Sequence, residues 1–141
     1  MTGEEQLNNI SFFKEKIREQ EYYIKELEQI LLGVKGLSYD KESVQTSVDG
    51  DGLLNKLADL EEERQILQKY KLIYIKQKVR MIKMIHKMEI GNRQTLLYRM
   101  YIKEQSLEKC AQYMDWTPEY TRKQHRIALK EFNEIIRSMS G

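Results

Sequence analysis

The sequence predicts an all-α chain, a long coiled-coil-like N-terminal helical hairpin followed by a C-terminal helix-turn-helix domain. Apolar residues recur at steps of three and four rather than two. The 141 residues include one Pro and seven Gly, too few breakers for disorder. With 40% hydrophobic and 33% charged residues there is too little apolar material for a broad globule, a balance that suits elongated helices. The single cysteine, Cys110, excludes an internal disulfide framework and a Cys-built zinc site, and two isolated histidines do not make up a ligand set. No export signal or membrane-spanning stretch is encoded, since the first 30 residues carry acids throughout and no run nears 18 uncharged apolar residues. A reducing cytoplasmic setting, with no metal and no cofactor, is the expectation.

The first helix is predicted over residues 4–33, where Leu7, Ile10, Phe13, Ile17, Ile24, Leu27 and Leu31 form one stripe and Gln20 fills its gap. Gly33 and Gly36 are expected to end it. Residues 34–52 are polar and turn-rich and are predicted to be a linker loop, long enough to suggest a role beyond joining. Over residues 51–90, Leu53, Leu60, Leu67, Tyr74, Met81 and Met88 recur every seven residues, with Leu57 and Ile85 at the companion position. A helix of that length spans about 60 Å and must lie against the first helix or another chain. The companion position is otherwise Arg64, Lys71 and Lys78, which weakens a simple two-stranded zipper. Gly91 and Asn92 are expected to end this helix. The resulting division is a hairpin over 1–90 and a second domain over 91–141.

Charge divides along the same line. Residues 1–63 hold 7 Lys+Arg against 15 Asp+Glu, a net of −8, whereas residues 64–141 hold 17 against 7, a net of +10. Eight basic residues and no acid lie between Arg64 and Met88. Such asymmetry points to a polyanionic partner for the C-terminal half, or to an acidic first half packed along a basic second half.

Residues 93–137 are expected to form a scaffold helix, a short helix, a tight turn at Asp115 and Trp116, and a longer helix. Ser106 suits the N-cap of the short helix; Thr117 before Pro118 suits that of the long one, because proline fits the first helical position. Cys110 and Ala111 are expected on the inner side of the short helix, where small residues let two helices cross closely. With Thr121 as zero on a helical wheel, His125, Ala128, Phe132 and Ile135 fall within about 40° of it, the side expected to be buried. Arg122, Lys123, Arg126, Lys130 and Arg137 fall at about 100° to about 200°, away from that core. This is the layout of a helix that enters a DNA major groove with its N-terminal turns on base edges and cations on phosphates. Glu119, Tyr120, Arg122, Lys123, Arg126 and Lys130 are therefore the candidate DNA-binding residues. Arg122 and Arg126 suit guanine through paired hydrogen bonds, and Lys123 and Lys130 suit phosphate. Glu119 suits cytosine or the helix dipole. Trp116 is expected to fill the gap between the two helices.

The stretch SLEKCAQYMDWTPEYTRKQHRIALKEF resembles region four of bacterial sigma factors, with Ser106, Ala111, and Ala128 followed by Leu129 at the recurring positions and Asp115 where glycine is usual. Residues 34–47, VKGLSYDKESVQTS, look like the linker of small phage and prophage proteins of Gram-positive bacteria, similar to ArpU- and RinA-type late transcriptional regulators. The resemblance runs from the first helix to Phe132. It implies promoter binding in a bacterial host and control of phage late genes, for packaging, morphogenesis or lysis.

The expected function is therefore a phage or prophage sequence-specific regulator, an activator that binds promoter or operator duplex and contacts RNA polymerase, and homo-oligomerises through its N-terminal helices. A dimer would read half-sites about one turn apart. Two other readings compete: a small terminase subunit that recognises packaging DNA, and a coiled-coil protein that binds a sigma factor. No phosphate-cradling Gly loop, carboxylate pair or nucleophile–base pair is visible, and residues 49–52 lack the following ligands of a calcium loop, so an enzyme is not expected.

Overall fold

The computed structural model describes residues 1–37 and 50–140, and among them the chain is all-helical with no strand. Helix α1 runs Gly3–Leu37, α2 Gly50–His86, α3 Asn92–Leu97, α4 Leu107–Met114 and α5 Pro118–Ser140, and α3 passes directly into a π-helical turn at Tyr98–Ile102. Most of the expected linker, residues 38–49, lies outside the described residues, and with it most of the segment that carries the late-regulator resemblance.

Two helix ends differ from expectation. Helix α1 continues through Gly33 and Gly36 to Leu37; glycine costs a helix only about 1 kcal/mol, which an already propagating helix tolerates. Helix α2 ends at His86 rather than near Ile90. There Gln94 Nε2 donates to the Ile85 carbonyl at 3.1 Å and to that of Met88 at 3.5 Å, so a side chain from α3 serves carbonyls that a further turn would have used. The scaffold helix closes at Ile102, where the Lys103 N–H reaches the Tyr98 carbonyl at 3.1 Å and Glu104 takes a positive φ of 56°.

The described residues form two compact units, Lys14–Leu72 and Met1–Phe13 with Ile73–Gly141. In the first, Ile24, Leu31 and Leu60 form a buried core against which Leu27, Leu53 and Leu67 pack. Gln20, the polar interruption of the α1 stripe, donates to the Glu63 carbonyl at 2.9 Å and to its carboxylate at 2.6 Å, so the gap is a hydrogen-bonded position. Arg64 lies 3.9 Å from Glu28, an exposed pair of little energetic worth. Leu57, expected in the seam, is exposed.

In the second unit, Leu7 and Ile10 of α1, Met81, Ile85 and Met88 of α2 and its end, Leu97, Ile102, and Ala128, Phe132 and Ile136 of α5 form one buried cluster. Residues 73–90, which periodicity groups with the hairpin, thus share a core with α3, the π-helical turn and α5. Gly3 lies against α5: a Cβ there would stand 2.7 Å from Phe132 Cδ2 and 3.3 Å from the Asn133 Cα. Its N–H donates to Asn133 Oδ1 at 3.0 Å. Only a residue without a side chain permits that approach.

Candidate nucleic-acid interface

The pair α4–α5 is built by caps at each junction. The Ser106 hydroxyl accepts from the Lys109 N–H at 3.2 Å and starts α4. Asp115 ends it in the left-handed conformation, φ 57° and ψ 44°. Its N–H reaches the Gln112 carbonyl at 3.2 Å, and the Trp116 N–H reaches that of Ala111 at 2.9 Å. Those two bonds are the Schellman pattern, with Asp where Gly is usual. Thr117 Oγ1 then accepts from the Tyr120 N–H at 3.1 Å, and Pro118 opens α5. The turn direction is therefore fixed by hydrogen bonds on both sides of Trp116.

Cys110 and Ala111 on α4 are buried, and so are Thr121, Gln124, Ala128, Phe132 and Ile136 on α5. The Thr121 hydroxyl donates to the Thr117 carbonyl at 2.8 Å, which satisfies it in the core. The buried side includes Gln124 and Ile136, which the wheel does not single out, while Ile135 and His125 are half-buried. Arg93 explains Gln124: Nε donates to Gln124 Oε1 at 2.9 Å, and Nη1 pairs with the Glu131 carboxylate. One guanidinium thus ties the start of α3 to two turns of α5.

Glu119, Tyr120, Arg122, Lys123, Arg126 and Lys130 are all exposed. None of the four cations has a hydrogen-bond or ion-pair partner among the described residues. Glu119 and Glu134 are the carboxylates on their flank of the helical wheel. Tyr120 stands apart, on the other flank of α5. Its ring meets Trp116 edge-on at 5.0 Å and 87° between planes, and both line a cavity of about 360 Å³ with Ile90, Arg93 and Gln124. Trp116 is half-buried there.

Behind the cationic side, His125 Nε2 lies 2.7 Å from the Tyr101 hydroxyl, with the rings stacked at 5.8 Å. Burial, and secondarily the Glu4 carboxylate, pushes the Tyr101 pKa up to about 12, so the phenol keeps its proton. Burial, aided by Arg126 and opposed by Glu4, holds His125 below its ordinary value of 6.5. The unfolded chain binds a proton there at a higher pH than the folded one, so stability falls with acidification below about pH 6.5 and levels off once the folded form also protonates. Urea midpoints from pH 7.5 to 5 are expected to decline less in His125→Gln than in the unmodified chain. A parallel decline would remove His125 as the source.

Sequence reasoning did not single out Arg93, Gln94 or Arg99. Their roles depend on partners 31, 9 and 6 residues away with no periodic signal. Among the described residues no cluster of His, Cys, Asp or Glu suits a metal ion, and no helix is long and apolar enough to cross a membrane. No family model, curated protein or solved structure matches the chain.

Proposed function

We propose that the chain is a sequence-specific DNA-binding regulator whose α5 enters the major groove. On this reading it is a phage or prophage activator of late genes that binds promoter duplex, contacts RNA polymerase and associates through its N-terminal helices. The observation that carries it is the exposed, uncompensated row of Arg122, Lys123, Arg126 and Lys130 on a helix whose opposite side is buried and whose start is fixed by the Asp115–Thr117 turn. A helix held in that way, with cations on its free side, has what groove binding needs: a rigid scaffold, base-reading forks and phosphate anchors.

Fragments of genomic and phage DNA recovered with the purified protein supply the target duplex. Arg122→Ala is then expected to weaken binding to that target by about 1–3 kcal/mol while leaving binding to a scrambled duplex nearly unchanged. Lys130→Ala is expected to weaken both alike. Gel-shift titrations read both effects, and equal losses on the two duplexes for Arg122→Ala would remove it as a base reader. Two other functions keep their own signatures: a ring of eight or more chains in native mass spectrometry favours a terminase subunit, and duplex affinity that is flat with salt favours a coiled-coil partner of a sigma factor.

A further inference from the structure

Away from α5, a second cationic feature lies where the end of α2, the π-helical turn and α4 meet. A cavity of about 260 Å³ there is lined by His86, Arg99 and Lys103 together with Tyr98 and Tyr113, and no Asp or Glu among the described residues lines it. These basic side chains come from separate places in the chain yet border one space without a carboxylate among the described residues to balance them.

Two of the three, Arg99 and His86, are oriented by contacts to neutral groups. The Arg99 guanidinium lies over the Tyr113 ring, 3.2 Å from its centroid, and Nη1 donates to Gln105 Oε1 at 3.0 Å. Both contacts are to neutral groups, so the full charge and the other N–H donors remain for another acceptor. His86 stacks on Tyr98 at 6.3 Å between ring centroids and 12° between planes. Lys103 is anchored only through its backbone, the N–H that closes the π-helical turn. Neither His86 nor Lys103 has a side-chain hydrogen-bond or ion-pair partner among the described residues. A planar guanidinium fork, an ammonium point charge and an imidazole around one hollow are the donor set of a phosphate group: the fork takes two oxygens, the ammonium offsets further charge and a ring N–H of the imidazole donates.

We propose that this cavity is a phosphate-binding site in which Arg99, Lys103 and His86 hold the oxygens and Tyr98 and Tyr113 form its walls. The phosphate comes either from the backbone of bound DNA or from a free phosphate ester such as a nucleotide. The DNA source rests on the function proposed above; the site itself does not.

Pyrophosphate is the probe for the site, titrated calorimetrically into the full chain at constant ionic strength. Saturable binding is expected, weakened at least tenfold in Lys103→Gln and in Arg99→Gln and unchanged in Lys25→Gln, an exposed lysine outside the cavity. Lys103 is exposed, so its variant keeps the test valid should Arg99→Gln fail to fold. The probe for the source is the dependence of duplex affinity on salt. A DNA phosphate in the cavity makes the slope of log K against log salt shallower by about 0.9 in Lys103→Gln, the contribution of one phosphate contact. An unchanged slope beside saturable pyrophosphate binding assigns the site to a free ester. A chain that binds pyrophosphate but no duplex removes the regulator function and keeps the site. Non-saturable pyrophosphate binding that Lys25→Gln alters as much as Lys103→Gln, with identical salt slopes, overturns the proposal.

Discussion

Phe132→Ala is expected to destabilise the chain by about 3–5 kcal/mol, the range for deleting a fully buried aromatic. The ring is 0% exposed and belongs to the cluster that joins Leu7 and Ile10 to Met81, Ile85 and Ile136. Its loss removes the contacts on both sides at once, the transfer free energy of the ring and the packing of every side chain that faced it. A domain is usually stable by about 5–15 kcal/mol in total, so the variant approaches the limit of folding. Urea denaturation followed by far-ultraviolet circular dichroism measures it. A loss below about 1 kcal/mol would mean that α1 and α5 are not packed through this residue.

Replacing Arg122, Lys123, Arg126 and Lys130 together by Gln is expected to abolish most duplex binding while leaving the fold intact. The two arginines as base readers are worth about 1–3 kcal/mol each, and the two lysines as phosphate anchors contribute about 0.9 each to the salt slope. At moderate salt the affinity loss is then at least ~10²-fold, with a slope shallower by about 2. All four side chains are exposed and have no hydrogen-bond or ion-pair partner among the described residues, so the urea midpoint is expected to stay close to that of the unmodified chain. Fluorescence anisotropy on the selected duplex at several salt concentrations reads both quantities. Retained affinity would show that α5 is not the binding element.

Much of this arrangement was legible because local rules and burial agree. Ser106 and Thr117 cap as their types suggest, since a hydroxyl before a helix has the same orphan N–H groups to serve in any context. The seven-residue recurrence found Leu60, Met81 and Met88, and the wheel found Ala128 and Phe132, because one buried side per helix is a period that sequence displays directly. Leu57 is exposed although Leu53 and Leu60 on either side of it pack in the core, because a seam defined by spacing does not reveal which of its two positions a neighbouring helix covers. Gln20 and Gln94 were illegible as hydrogen-bonding residues, since both donate to backbone carbonyls, which every residue carries. Tyr120, a candidate beside Arg122 in sequence, lies about 160° from it on the wheel and meets Trp116, a contact that spacing does not display. Gly3 gave no signal either, because the ring it accommodates belongs to the far end of the chain.

That contact sets the order of events during synthesis. The N–H of Gly3 and its acceptor on Asn133 are separated by 130 positions. At ordinary translation speeds the amide waits on the order of ten seconds for its partner to leave the ribosome. Until then Leu7 and Ile10 lack the α5 part of their surroundings and remain available to chaperones or to other nascent copies. Assembly of this unit is therefore completed only after release of its C-terminal helix, and a tag fused directly before Met1 would sit beside the closing contact.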